Sequence, residues 1–351
     1  MGLTRTKTAA AADPAAQAAL PAPAAPVDAP AGAPRPGRAL LFLALVVVAG
    51  LVPLLGPAAA LRGTSDASAP GAGLVTALRG VLFAALSVQA GEVYVRWLGR
   101  RIPGLPGASR CWSSYAAAAG ALAAAGLVAV MNGADLVTRH TGDGMAASGL
   151  YGTRDGVLAL LEVNAFVAAG LCARSRRPAT QAIPLAVIAC AEALRAHSPY
   201  EDWPLLGSGL TLVHLTCAAL WAGGLLAVLR RLRRWRTTAP AAGAALLGRY
   251  ARLAAVLLAG VTATGLISSL RRIPLDWLEL QLLTTAYGRV LIAKLLVVAV
   301  VCLLALLARR RLRHSPDPLS AMQPARSELA ALAAVVALSA LLTAVPVPIN
   351  W

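Results

Sequence analysis

Charge is scarce in this sequence. Only 13% of its 351 residues are Asp, Glu, Lys or Arg, about half the share typical of a soluble globular domain. With 58% of residues hydrophobic, that shortage excludes an ordinary soluble enzyme or binding module. Acids are scarcer still, 15 against 32 Lys and Arg, for a formal net charge of +17. On a soluble surface such an excess would point to nucleic acid. Here the basic residues sit in short Arg clusters between apolar runs. No basic patch is interleaved with aromatics, which make up only 5% of the chain, so nucleic-acid binding is excluded. The five cysteines show no CxxC spacing, which excludes a disulfide framework and a structural zinc site. There is no P-loop, GxSxG, HExxH or carboxylate pair at useful spacing. Hydrolytic and group-transfer chemistry therefore lack their usual carriers. An ATP-driven metal pump is excluded because a soluble nucleotide domain has no room. The chain reads as a non-enzyme.

What is present is a series of long apolar runs. A membrane span needs roughly 20 apolar residues. Nine windows qualify: about 39–61, 74–95, 113–132, 155–173, 180–196, 207–229, 250–270, 287–308 and 327–346. The fifth is short and contains Pro184. The fold class is therefore an all-α, polytopic transmembrane helix bundle. Residues 1–37 are Ala- and Pro-rich with few large apolar side chains, and they read as a disordered tail ahead of a transmembrane domain at 38–351. A cleavable signal peptide is not expected, because the first apolar run starts late and is long.

The loops alternate in charge. Arg clusters follow the second, fourth, sixth and eighth windows, among them Arg96 and Arg100, Arg174 and Arg176, Arg230 to Arg236, and Arg309 to Arg313. The other loops carry acids or mixed charge: Asp66, Asp135 and Asp143, Glu201 and Asp202, Asp276 and Glu279. The positive-inside rule puts the Arg clusters in the cytoplasm. It predicts nine spans, a cytoplasmic N-terminus and an outer C-terminus. On that topology His140 and His197 lie in outer loops and His214 enters the sixth span from the outer face. His314 is cytoplasmic, in a basic loop where a solvated histidine is expected.

Ionisable groups inside a membrane are functional candidates by default. His214, Cys217 and Trp221 are spaced i, i+3, i+7, so they share one helix face. His214 is expected about 10 Å below the outer boundary. An imidazole beside a thiol suits copper, above all soft Cu(I). The alternative is a histidine hydrogen-bonded to a neighbouring helix, with Trp221 a packing residue. His197 precedes Pro199 at the outer mouth, where it would cap a site or stand as a solvated loop histidine. Glu201 and Asp202 nearby would concentrate cations. Cys190 is a third ligand candidate at similar depth, and Met131 and Met145 flank the His140 loop. Glu162 and Lys294 fall at matching depths, and membrane charges usually pair. The expectation is a Glu162–Lys294 ion pair, or Lys294 paired with Glu192, the alternative being a Lys294 that snorkels to the interface. Gly223 and Gly224, like Gly120, Gly126, Gly260 and Gly265, are expected to serve close helix packing.

The run HLTCAALWAGGLLAVL, His214 to Leu229, resembles the signature of the CopD family of bacterial copper-resistance and copper-uptake membrane proteins. His197 stands where that family commonly has a histidine ahead of this helix. RYARLAAVLLAGVTATGLISSL resembles the family's next helix. TTAYGRVLIAKLLVVAVVCLLALLARRRL resembles the one after, with Tyr287, Gly288, Arg289 and Lys294 in matching places. Arg326, Ser327 and Glu328 precede a fitting final span. The resemblance covers a core of about 190–346. It departs at Ala308, where the family often has Asn, and no CopC-like β domain is fused to the chain. It implies a multi-pass protein of the bacterial cytoplasmic membrane, with copper as the bound or transported ion. His197 and His214 would be its ligands, and a separate CopC-like carrier its extracytoplasmic partner. Two other functions stay open at this point. One is a haem-b or other membrane electron carrier, which typically needs two histidines on facing helices. The other is a copper-delivery or assembly factor for a respiratory oxidase.

Overall fold

In hydrocarbon every backbone N–H and C=O must be satisfied within the chain, so long apolar segments fold as helices. The computed structural model describes residues 56–62, 71–100, 111–138, 152–197, 203–272, 284–314 and 322–346, with a few isolated positions between them. These all fall in one compact unit, Leu41–Trp351. Among the described residues the regular structure is helical: α1 (Ala72–Gly99), α2 (Ser113–Thr138), α3 (Arg154–Arg174), α4 (Ala182–Arg195), α5 (Pro204–Trp235), α6 (Pro240–Arg272), α7 (Ala286–His314) and α8 (Met322–Leu342). Seven of them, all but α4, are long and apolar enough to cross a membrane. The protein is an all-α polytopic membrane bundle.

Eight of the nine apolar windows correspond to these helices. The first, 39–61, lies outside the described residues except for a helical segment at 56–61. The tail at 1–37 also lies outside them. The fifth window is a helix of 14 residues preceded by a 3-10 turn at Pro178–Gln181. At 1.5 Å per residue α4 reaches about 21 Å, short of a ~30 Å hydrocarbon layer.

Local signals set several helix ends. Thr153 caps α3, its hydroxyl accepting from the Gly156 N–H, and Asp155 follows in the first turn, where negative charge suits the helix dipole. Pro204 opens α5, a position where its missing N–H costs nothing. Trp203 before it is left-handed at φ 57°, an unusual backbone for a bulky residue. At the end of α4, Arg154 donates to the carbonyls of Leu194 (2.8 Å) and His197 (3.1 Å), as cations near helix C-termini do.

α5 is the central element. It packs on α1, α4, α6 and α8, while α1 also packs on α2 and α8, α3 on both α2 and α4, and α7 on α8. Two larger apolar cores result, beside a smaller one of Ala286, Tyr287 and Val290 of α7 with Leu341 of α8. One joins α1 to α5 through Leu82, Leu86, Ala123, Phe166, Ile188 and Ala219. The other joins α1, α5, α6, α7 and α8 through Val95, Trp221, Val228, Leu246, Val301 and Leu332. The α1–α5 crossing is closest at glycines. A Cβ on Gly91 would overlap the Gly223 backbone, and one on Gly223 would overlap the Ser87 carbonyl. Gly224 beside it makes room for the Tyr250 ring of α6. This is small-residue packing of the kind that lets membrane helices touch along their backbones.

Arginines of three of the clusters gather at one end of the bundle. Arg230 of α5 reaches Glu92 of α1 at 2.6 Å. Arg326 at the start of α8 is an electrostatic neighbour of Arg233 and Arg236, and Arg309 of α7 donates to the Ala251 carbonyl of α6.

Gly223→Val should lower the thermal midpoint of the detergent-solubilised protein, the overpacking costing about 1–3 kcal/mol or more. Gly209→Val on the same helix, where an added Cβ meets nothing within 4 Å, should leave it nearly unchanged. A melting curve of each variant beside wild type checks the contrast.

Candidate metal site and the charged layers around it

His214 lies on the stripe of α5 that also carries Gly207, Thr211, Cys217 and Trp221. Its Nδ1 is 3.0 Å from the Thr264 hydroxyl of α6. That hydroxyl is itself 2.6 Å from the Gly260 carbonyl, four residues back on α6, and 3.2 Å from that of Val261. A threonine has a single hydroxyl proton. Here it is committed to backbone carbonyls, so Thr264 Oγ1 must accept from the ring and Nδ1 must carry the imidazole proton. The ring also interacts with the Val261 backbone, and a neutral imidazole in this tautomer has its lone pair at Nε2, for which no hydrogen bond is found among the described residues. A metal-binding histidine is usually held this way, its other nitrogen donating to a fixed acceptor. The expected alternative, a histidine hydrogen-bonded to a neighbouring helix, is thus present in a form that leaves one ring nitrogen open.

Cys217 is one turn along, about 4.5 Å in axial rise, with Sγ packed against Gly260 of α6. Gly265 faces the His214 ring. Small residues on α6 therefore let both side chains sit between the two helices. Lys294 of α7 is an electrostatic neighbour of His214.

His197 is buried, 4% exposed, and so is not the solvated loop residue weighed above. Its Nε2 is 3.0 Å from the Thr211 hydroxyl, and its ring lies on Gly207, where an added Cβ would come within 2.6 Å of Nδ1. Arg271 of α6 lies over the same glycine and donates to the Trp203 carbonyl. His197 thus contacts the face of α5 that carries His214, Thr211 standing three residues before His214. Cys190 is on the exposed side of α4, and no cluster of three or more His, Cys, Asp or Glu side chains arranged for a metal occurs among the described residues. His140, Met145, Glu201 and Asp202 lie outside the described residues, and Met131 and His314 are described only as helical backbone.

The acidic side chains pair differently from expectation. Glu162 and Glu192 both bind Arg195, at 2.5 and 2.6 Å, and Arg79 of α1 reaches Glu192 at 3.3 Å. Neither carboxylate makes a salt bridge to Lys294. The physical reason is proximity: α3 packs on α4 and α4 on α1, so guanidinium groups from α4 and α1 meet these carboxylates first. The layer holds two carboxylates and two guanidiniums, and Glu162 is fully buried.

A second layer sits at the Arg-rich end. Glu92 of α1 accepts from the Trp112 N–H (2.8 Å), the Ser113 N–H (3.3 Å) and hydroxyl (2.9 Å), Cys111 Sγ (2.6 Å) and Arg230 (2.6 Å). It thereby serves as the anionic cap of α2 from another helix. Arg230 also lies over the Trp112 ring at 3.7 Å, a cation–π geometry. Between α5 and α8, Trp221 Nε1 donates to Glu328 Oε1 at 3.2 Å, and the Tyr250 hydroxyl donates to the Trp221 carbonyl at 2.6 Å. These groups line a small cavity of about 40 Å³ with Arg309. Trp221 is therefore a buried packing residue that also orients a carboxylate. Sequence reasoning missed Arg79, Glu92, Thr211 and Thr264 and gave Glu328 no role. A lone Arg or Glu within an apolar window was a usable signal; the threonines carried none.

These helices and buried charge layers define a class, the polytopic α-helical membrane protein. Residues 244–345 match the family model CopD, copper resistance protein D. The matched segment covers most of α6, all of α7 and α8, and so includes Thr264, Lys294 and Glu328. His197 and His214 lie before it. No match was found among curated proteins or among solved structures.

Arg195→Met should destabilise the bundle by roughly 3–5 kcal/mol, because it leaves two buried carboxylates without their shared partner. Adding Glu162→Gln should restore part of that loss. Chemical denaturation in detergent micelles checks both, and a double variant less stable than Arg195→Met alone would contradict the pairing.

Proposed function

We propose that this protein binds copper within the membrane at His214 and passes it across the bilayer in copper homeostasis or resistance. The observation that carries the reading is the Thr264-fixed tautomer of His214, which presents Nε2 as a ligand between α5 and α6. Cys217, one turn along the same stripe, is the proposed second ligand. His197, at the mouth and one turn above, is the proposed entry residue. Cys190, on the exposed side of α4, is at most a peripheral third candidate. The copper association of the CopD family supports the choice of metal.

The chemistry favours Cu(I). Thiol and imidazole are soft and borderline ligands, and a singly charged ion is repelled by the Lys294 ammonium half as strongly as a doubly charged one. With the Arg clusters in the cytoplasm, His197 and His214 face the outer side of the bacterial cytoplasmic membrane. Copper would then arrive from outside the cytoplasm, delivered by a separate CopC-like carrier.

Metal analysis of the purified full-length protein tests the site. Wild type should retain copper, His214→Ala should lose it, and His197→Ala should load more slowly. Thr264→Val keeps the shape but removes the acceptor, and should weaken copper binding about 10–100-fold. Gly207→Ala should displace the His197 ring and reproduce the His197→Ala loading defect without removing a ligand. Undiminished copper in both His197→Ala and His214→Ala would overturn the assignment.

A further inference from the structure

α6 and α7 pack little against each other, and a groove of about 590 Å³ opens along α6 toward α7 at the Arg-rich end of the bundle. It is lined by Ala245, Gly248, Arg249, Arg252 and Ala255 of α6 and by Arg309 of α7. Among the described residues no carboxylate lines it. Arg249 and Arg252, three residues apart and so neighbours on the helix face, make no salt bridge or side-chain hydrogen bond among the described residues. Arg309 is anchored to the Ala251 carbonyl at 2.7 Å, which fixes the third guanidinium at the same level. The floor is made of alanines and a glycine, and an added Cβ on Gly248 would meet nothing within 4 Å.

We propose that this groove binds the headgroup phosphate of an anionic phospholipid. Guanidinium groups present forked donors that match phosphate oxygens, and basic pockets between membrane helices at the interface take anionic headgroups. The surroundings select a lipid over a free phosphate. Deeper in the membrane from the arginines, the same helices expose Val256, Leu303, Leu306 and Leu307, an apolar track for acyl chains. The lipid fills the gap that the weak α6–α7 packing leaves. This inference does not depend on the copper reading, since none of the groove residues belongs to the proposed metal site.

Native mass spectrometry of the full-length protein tests it, with phosphatidylglycerol and phosphatidylcholine added in equal amounts and inorganic phosphate as a third arm. Phosphatidylglycerol should be retained selectively. At roughly fivefold per arginine, Arg249→Gln/Arg252→Gln should lower its affinity about twenty-five-fold. Gly248→Leu, which keeps every charge and fills the floor, should also reduce retention. Equal retention of the two lipids, or undiminished phosphatidylglycerol in the double variant, would overturn the proposal. Displacement of phosphatidylglycerol by inorganic phosphate at the same concentration would overturn it too, showing a phosphate site and not a lipid site. Copper content should be unchanged in these variants.

Discussion

The bundle depends on the backbone contact between Gly91 of α1 and Gly223 of α5. No side chain fits at that crossing, so the two helices touch directly and their relative position is fixed. Everything else on α5 is placed from there. Two turns toward the Arg-rich end, Arg230 meets Glu92, which in turn caps α2. In the opposite direction, the face carrying Cys217 and His214 is directed at α6. In a medium where apolar side chains gain nothing by leaving lipid for protein, such close packing and buried polar contacts supply the specificity.

Charge inside the bundle follows one rule throughout. Among the described residues each buried carboxylate is met by cations or hydrogen-bond donors. Arg195 serves Glu162 and Glu192; Arg230, Cys111 and the start of α2 serve Glu92; Trp221 serves Glu328. Lys294 differs. No salt bridge from it to a carboxylate occurs among the described residues, and it is an electrostatic neighbour of the His214 imidazole. That juxtaposition of an imidazole and an ammonium sets this region apart from the ion pairs, and the proposed copper site rests on it.

Much of the fold was legible in the sequence, because apolar windows between Arg-rich loops report spans without any knowledge of packing. The short α4 was the window already marked by its length and by Pro184. The site was only partly legible. His214, Cys217 and His197 stood out as polar groups in or beside apolar runs. Thr264 did not, since a threonine in an apolar helix ordinarily back-bonds to its own carbonyls, as it does here. Its second role appears only when α6 is set against α5. The Glu162–Lys294 pairing failed for a related reason. Depth matching gives the level of a residue but not which helices are neighbours, and the contacts of α4 with α3 and α1 deliver Arg195 and Arg79 to those carboxylates instead.

The central claim is that copper sits on His214 Nε2 with a sulfur from Cys217. X-ray absorption at the copper edge, on the copper-loaded full-length protein, addresses it directly. The account predicts one imidazole and one sulfur in the first coordination sphere, with the sulfur lost in Cys217→Ser and the imidazole lost in His214→Ala. A wild-type spectrum with oxygen ligands alone, or one unchanged in both variants, would contradict it.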